Sequence, residues 1–418
     1  MTHASSTLEV SPTAEAAAAT LPLHPASPEL AALLDGIREG ASKRDLEREL
    51  PFGVIESLRR ARLGAIRIPR DEGGLGVSLR ELFAVVIRLG EADSNVAHIL
   101  RNHFVTLERI LSAPRSARNR RWIAAAAEGA IFSLAGTELG AKRSGSLSVV
   151  STRLSLQADG AYRLDGEKYY STGCLYADYI AIPVLTPQGE TATVIVPATR
   201  AGVELVDDWD GFGQRLTGTG TTRLHAVRVE ADELIQNSDR DTSPFHYIST
   251  IPQLYVTAIN AGVAQSVLRD ATALVHKRPR SFYHATAEKP SDDPLVQHTI
   301  GQIAANAFAA ESIVLAASDA LDVFIGEDGS DEAGYQKASL EAALKAARAK
   351  LVVDELALRS ATLLFEVGGA SSAKRSENLD RHWRNARTLA AHNPAAFKAR
   401  ALGDYELNRK PPPNLGFF

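Results

Sequence analysis

The chain has 418 residues, 45% hydrophobic and 23% charged, with a formal net charge of −4 and a single Cys. With 46 Lys and Arg against 50 Asp and Glu, no positive excess exists to neutralise phosphates, which argues against a nucleic-acid binder. One Cys cannot close an internal disulfide or build a cysteine-rich zinc site, and no apolar stretch approaches the ~20 residues a membrane helix needs.

Residues 1–25 are rich in Ala, Ser, Thr and Pro without apolar periodicity and read as a disordered tail. Glu9 and Glu15, with no basic segment leading into an apolar core, argue against a secretory signal, so a soluble cytoplasmic protein is expected. Ser27, Pro28 and Glu29 open a helix carrying Leu30, Leu33, Leu34 and Ile37 at helical spacing, and Pro51 opens another with Val54, Ile55 and Leu58. A glycine-rich loop spans 64–76, and helical patterning returns over 79–111 and 122–127. These make a helical domain of residues 26–129.

Short β-branched or alternating runs at 146–155, 161–165, 179–185, 191–197, 202–206 and 221–229 are separated by polar turns and predict a middle β domain over 130–241. From 242 to 418 the chain reads as a helical bundle, with long helices over 259–277, 295–322, 333–367 and 381–391. Helices, then strands, then longer helices define an α+β architecture, whereas a dinucleotide fold would alternate the two.

Common chemical motifs fail on spacing. Gly211 and Gly213, then Gly218 and Gly220, sit between strands and do not give G-x-G-x-x-G, and no P-loop or G-x-S-x-G element occurs. His98 and His103 are five residues apart, off the i,i+4 spacing of a helical metal pair, so no metal site is expected.

Several motifs in order resemble the acyl-CoA dehydrogenase superfamily over about residues 27–410: Arg62 to Gly76, Leu134 to Glu138, Gly166 to Gly173, and Phe365 to Gly369. The runs Asp207–Thr221, Asn378–Asn385 and His392–Pro394 resemble one branch, the dibenzothiophene and sulfone monooxygenases, which are two-component flavin oxygenases. The resemblance implies an N-terminal helical domain, a middle β domain and a C-terminal helical bundle. It also implies a homotetramer built as a dimer of dimers.

A desaturating dehydrogenase needs a carboxylate to remove the substrate α-proton. The resemblance suggests two places for it, yet residues 242–269 and 381–403 hold no Asp or Glu. Tyr255 and His392 stand near those places, and Glu366 falls in the cofactor-packing Gly-Gly segment. An oxygenase instead needs a protected flavin C4a-hydroperoxide, formed from O2, and a proton-handling group near neutral pH, which suits histidine. The expected activity is therefore a reduced-flavin-dependent monooxygenase acting on an organosulfur or heteroaromatic compound. FMN is favoured, with FAD the alternative, and a separate NAD(P)H:flavin reductase supplies it. The competing readings are a FAD-dependent acyl-CoA dehydrogenase with a displaced base and a non-catalytic flavoprotein.

By the same resemblance His392 is the first catalytic candidate and His103 the second, the alternative for His103 being a packed histidine with Asn102 facing the pocket. Ser171 and Thr172 are expected to meet flavin N5 and O4 through backbone N–H groups and hydroxyls, Ser171 steadying the oxygenated flavin. Phe132, Ser133 and Thr137 approach the ring from the neighbouring strand. Gly368 and Gly369 pack the cofactor, and Arg280 (or Arg278), Lys374 and Arg375 are phosphate candidates, the arginine often acting across a subunit interface. Asn102 and Tyr255 are substrate-binding candidates. Trp209, Arg215, His382, Trp383 and Glu138 read as structural, and Cys174 as a packing residue.

Overall fold

A computed structural model describes residues 21–139, 151–236, 247–325 and 332–413. The first unit holds α1 (Pro28–Glu47), α2 (Phe52–Arg60), α3 (Leu79–Ala92), α4 (Ser94–Ile99), α5 (Arg101–Ser112) and α6 (Ala117–Ala127). Ser27 caps α1 by accepting from the Leu30 N–H, and Ser78 and Glu81 form a reciprocal capping box on α3. The expected tail is partly docked: Leu23 N–H donates to the Ala61 carbonyl, and Arg88 holds the Pro25 carbonyl.

The helical stretch 79–111 is broken twice. Asp93 adopts extended geometry, caps α4 through the Asn95 N–H, and pairs with buried Arg44 at 2.9 Å. Leu100 alone then separates α4 from α5. An unbroken apolar pattern hides these breaks, because a polar cap and a buried ion pair decide them.

The middle unit is an eight-stranded sheet: β1 (Phe132–Leu134), β2 (Arg153–Leu156), β3 (Tyr162–Lys168), β4 (Tyr179–Leu185), β5 (Thr191–Pro197), β6 (Val203–Leu205), β7 (Thr222–Val229) and β8 (Leu234–Gln236). Its order is β6-β7-β3-β2-β4-β5-β8, with β1 parallel to β4. The expected strand over 146–155 survives as β2, and residues 140–150 lie outside the described residues. Apolar side chains of β3, β4, β5 and β7 fill a core of their own.

The third unit comprises α7 (Tyr247–Lys277), α8 (Pro294–Ile325), α9 (Glu332–Gly368), α10 (Arg381–Ala390) and α11 (Ala395–Asn408). The last lies beyond the helices expected from the sequence, and Pro394 is its N-cap. α3 packs onto α7 and α8, so the first and third units share one large core containing Phe83, Phe104 and Tyr255, none of them more than 1% exposed. Burying each such side chain stabilises the fold by about 1.5–3 kcal/mol. Contrary to the sequence expectation, Pro294–Val323 of α8 is long and apolar enough to cross a membrane, with mean hydropathy 1.4. Here it is one helix of the bundle, with Leu295 and Phe308 exposed.

Candidate active site

Three groups of residues carry the candidate chemistry. The first gathers where the α4–α5 junction meets α7 and the segment after α10. His98, on α4, has Nδ1 3.2 Å from the Gln214 side-chain oxygen. The Gln214 amide nitrogen donates to Ser94 Oγ at 3.1 Å, so its oxygen faces the ring and accepts from His98 Nδ1–H. Nε2 is then the lone-pair nitrogen, buried without a hydrogen-bond partner among the described residues. Burial first, then the Arg101 charge, push the ring down to about 3, against the Gln214 hydrogen bond.

Arg101 opens α5 and donates from Nε to the Pro252 carbonyl at 3.1 Å. Burial holds it below its usual range, at about 10. Tyr255 lies one turn after Pro252 on α7; its hydroxyl is buried without a hydrogen-bond partner, and burial pushes it up. His392 is held well below the ordinary histidine value by burial, and then by Arg101, His98, Lys350 and Lys398. It is therefore neutral at working pH. Behind it Lys350 pairs with Asp354 at 2.5 Å and donates to the Ala390 carbonyl at 3.1 Å. Lys398 of α11 is driven down to about 7 by burial and by Lys350.

The second group is a ledge formed by β1 and residues 169–174. The Thr172 carbonyl accepts from Ser133 Oγ at 2.8 Å and from the Asn102 amide at 2.9 Å. Gly173 has φ 85°, and a Cβ there would lie 2.5 Å from the Ile99 carbonyl, so only glycine lets the ledge meet α4. A chain of hydroxyls runs from Thr172 through Thr219 (2.9 Å) to Thr217 (2.6 Å), which donates to the Gln214 carbonyl (2.8 Å). Gln214 thus ties the ledge to His98.

The third group is an exposed edge where the end of α7 runs beside the turn after α9. Arg278 donates to the Val367 carbonyl at 2.7 Å and covers Phe282; Lys277 pairs with Glu377. Gly369 has φ 63° beside Phe282. Arg280, Lys374 and Arg375 are exposed here and form no ion pair among the described residues. No described hydrogen bond links this edge to the ledge.

Several expected roles are corrected. His103 is fully buried, with Nε2 2.9 Å from the Gly64 carbonyl and Nδ1 accepting from the Phe132 N–H at 3.1 Å. Both ring nitrogens are occupied by backbone, and burial holds the ring at about 4, so it packs α5 against β1 and has no nitrogen left for proton transfer. Asn102 and Ser133 are likewise spent on the Thr172 carbonyl; they shape the ledge and do not reach substrate or flavin through these atoms. Phe132 faces the core, stacked on Tyr179 at 5.2 Å, so only its backbone borders the ledge. The Ser171 and Thr172 N–H groups are used by the Gly220 and Tyr170 carbonyls, which removes them as flavin donors. Thr137 is exposed, its carbonyl accepting from the Tyr169 N–H.

The residues read as structural sit in structural contacts. Glu138 pairs with buried Lys168 at 2.6 Å and is pulled down to about 2 by Lys168, Ser151 and Thr152 against its burial. Trp209 donates to the Gln214 carbonyl at 3.0 Å, and Arg215 to that of Asp45 at 3.0 Å. His382 meets Asp270 at 2.9 Å, and Trp383 stacks on Phe212. Cys174 is buried beside Ser133, and burial pushes its thiol up to about 12. Glu366 is exposed on α9. Sequence reasoning missed Gln214, Arg101 and Lys398, and weighed His98 only as a metal ligand. Among the described residues no cluster of three or more His, Cys, Asp or Glu could hold a metal ion.

Ser171 Oγ is buried without a hydrogen-bond partner. An orphaned buried hydroxyl on this ledge fits the polar edge of a flavin ring.

The acyl-CoA dehydrogenase C-terminal domain family matches residues 254–397. A probable FMNH2-dependent monooxygenase, SfnC of Pseudomonas putida, is 27% identical over 376 residues, covering 89% of this chain and 92% of that protein. The methanesulfinate monooxygenase MsuC of Pseudomonas fluorescens superposes with a TM-score of 0.84 at 27% identity, over 94% of this chain and 100% of that one. TdsC of Paenibacillus sp. A11-2, a dibenzothiophene monooxygenase solved with FMN and indole, superposes with a TM-score of 0.84 at 25% identity, over 94% and 100%. Fold and matches together make the chain similar to the acyl-CoA dehydrogenase superfamily. Within that superfamily the likeness is to FMNH2-dependent monooxygenases.

Proposed function

We propose that the protein is a monooxygenase that uses reduced FMN and O2 to oxygenate an organosulfur or heteroaromatic compound. The observation that carries this reading is the buried group beside His392: His98 Nε2 and the Tyr255 hydroxyl lack hydrogen-bond partners among the described residues, and Asp354 is held by Lys350 and Asn260. This group offers no free carboxylate for α-proton abstraction from an acyl thioester, whereas its imidazoles suit proton handling around oxygen.

Bound reduced FMN supplies the two electrons that leave one O2 atom in the product and the other in water. The chain's own residues do the rest. Ser171 Oγ would donate to the polar edge of the ring. Thr172, fixed by Asn102 and Ser133, holds the ledge on which that edge would rest. His392 takes up and returns a proton at a ring nitrogen, and its neutral state at working pH makes it an acceptor. Packing by Tyr255 and Phe104 excludes water from the pocket.

The phosphate end is read as held by the Arg278–Arg280, Gly368–Gly369 and Lys374–Arg375 edge of a neighbouring subunit; the support is that no hydrogen bond among the described residues joins this edge to the ledge. The exposed Leu295 and Phe308 of α8 support a homotetramer. Absence of a nucleotide fingerprint supports supply of reduced flavin by a separate NAD(P)H:flavin reductase, and a cytoplasmic location fits that supply. The test is anaerobic mixing of the FMN-loaded protein with saturated acyl-CoAs. The flavin stays oxidised; bleaching would establish the dehydrogenase instead.

A further inference from the structure

We infer that the substrate carries a small organic oxyanion, a sulfinate or a carboxylate, which pairs with Arg101 beside the reacting centre. This rests on the monooxygenase reading and narrows it against neutral polycyclic substrates. Arg101 spends only Nε on the protein, at the Pro252 carbonyl, and forms no ion pair among the described residues. Arg101 is half-buried, and a guanidinium withdrawn this far from water normally has a counter-charge. Among the described residues the neighbouring segments supply none: 94–107, 247–269 and 381–403 contain no Asp or Glu. The next acid on α5, Glu108, is committed to Arg67 at 2.6 Å. Asp354 faces Lys350 and Asn260 at 2.5 Å and 2.7 Å.

The groups around Arg101 are electrically suited to an anion. His98 and His392 are neutral, and their titration is depressed partly by the Arg101 charge itself. The Tyr255 hydroxyl couples to Arg101 and lacks a partner. An oxyanion accepts two parallel N–H bonds from the guanidinium fork and one from this hydroxyl, which satisfies both orphans at once. A neutral thiophene satisfies neither.

For a sulfinate the atoms balance simply. RSO2− gains one oxygen from O2, forming an S–O bond as sulfur loses two electrons, and gives RSO3−. Reduced FMN delivers two electrons and two protons to the other oxygen, which leaves as water. A thioether carboxylate is oxygenated at sulfur with the same balance, to the sulfoxide.

Two readouts separate this inference from the parent reading. The first needs no turnover: thermal shift of the full chain loaded with oxidised FMN, titrated with ethanesulfinate, methylthioacetate or neutral diethyl sulfide. A saturable rise in Tm with either anion, absent in Arg101→Gln and reduced in Arg101→Lys, is expected. No rise with either anion in the unaltered chain, or an undiminished rise in Arg101→Gln, overturns it. A loss of FMN affinity in Arg101→Gln without loss of anion response also overturns it and assigns Arg101 to the cofactor phosphate. Should Arg101→Gln fail to fold by circular dichroism, Arg101→Lys is read by the same criteria. The second readout is turnover with a flavin reductase: Arg101→Gln raises KM for the preferred anion by at least about thirty-fold, and by at least about ten times more than it raises KM for diethyl sulfide. Equal effects on both overturn the inference, and which anion responds decides between sulfinate and carboxylate.

Discussion

The side-chain oxygen of Gln214 lies 3.2 Å from Nδ1 of His98, and the two residues are 116 positions apart. Gln214 comes from the loop between β6 and β7, has φ 53°, and is also held through its N–H by Asn385 of α10 at 2.6 Å. One residue thus locks the sheet, α4 and α10 around the candidate pocket. Replacing Gln214 with Leu leaves His98 Nδ1 and Ser94 Oγ without partners, at a cost of about 1–3 kcal/mol in stability. Urea unfolding measures that loss. In a reductase-coupled assay the same variant releases more hydrogen peroxide per NADH consumed, because His98 no longer keeps one tautomer.

His392 and His103 separate cleanly. His392→Ala keeps FMN affinity, by fluorescence quenching, and loses product formation. His103→Ala strands the Gly64 carbonyl and the Phe132 N–H, lowering stability by about 2–5 kcal/mol while the folded fraction keeps its turnover. Coupled turnover unchanged in His392→Ala would remove that residue from the chemistry.

Acid sensitivity follows from the buried imidazoles. His98 and His103 titrate at about 3 and about 4 when folded, below the ordinary value of 6.5. Below pH 6.5 the unfolded chain binds protons that the folded chain refuses. Stability is therefore complete above about pH 6.5 and falls as the pH drops toward the folded values, by about 1.4 kcal/mol per pH unit for each ring. Urea midpoints at pH 7 and pH 5 check the sign, and the fall is smaller in His103→Leu.

Ser171 and Arg280 test the two ends of the cofactor. Ser171→Ala removes a hydroxyl with no partner in the chain, so FMN-free stability holds or rises, while FMN affinity falls about three- to ten-fold. Arg280→Ala leaves stability unchanged and raises the FMN dissociation constant. An unchanged constant would reject its phosphate role.

What the sequence showed depended on how local the cause was. β4 and β5 pair over their full lengths, Tyr179 against Pro197 to Leu185 against Thr191, and their alternation was readable because one strand's neighbours decide it. The long helices α8 and α9 announced themselves by period. The breaks at Asp93 and Leu100 did not, and they decide which way α4 and α5 point. As a result, Arg101, Asn102 and His103 serve three different places: the pocket, the ledge and the core. His103 met two backbone groups, which leave no trace in side-chain pattern. His98 gained its meaning from Gln214, far along the chain. The motif holding Gln214 was noticed as distinctive and read as structural; the contact that makes it a hub needed the fold.

The central claim is tested most directly by turnover under 18O2 with FMN, NADH and a flavin reductase, across sulfides, sulfinates, thiophenes and indole, with products read by mass spectrometry. The account predicts a product carrying one 18O atom per molecule, formed only when reduced FMN is supplied. Product oxygen derived from water, or no oxygenated product from any of these substrates, would contradict it.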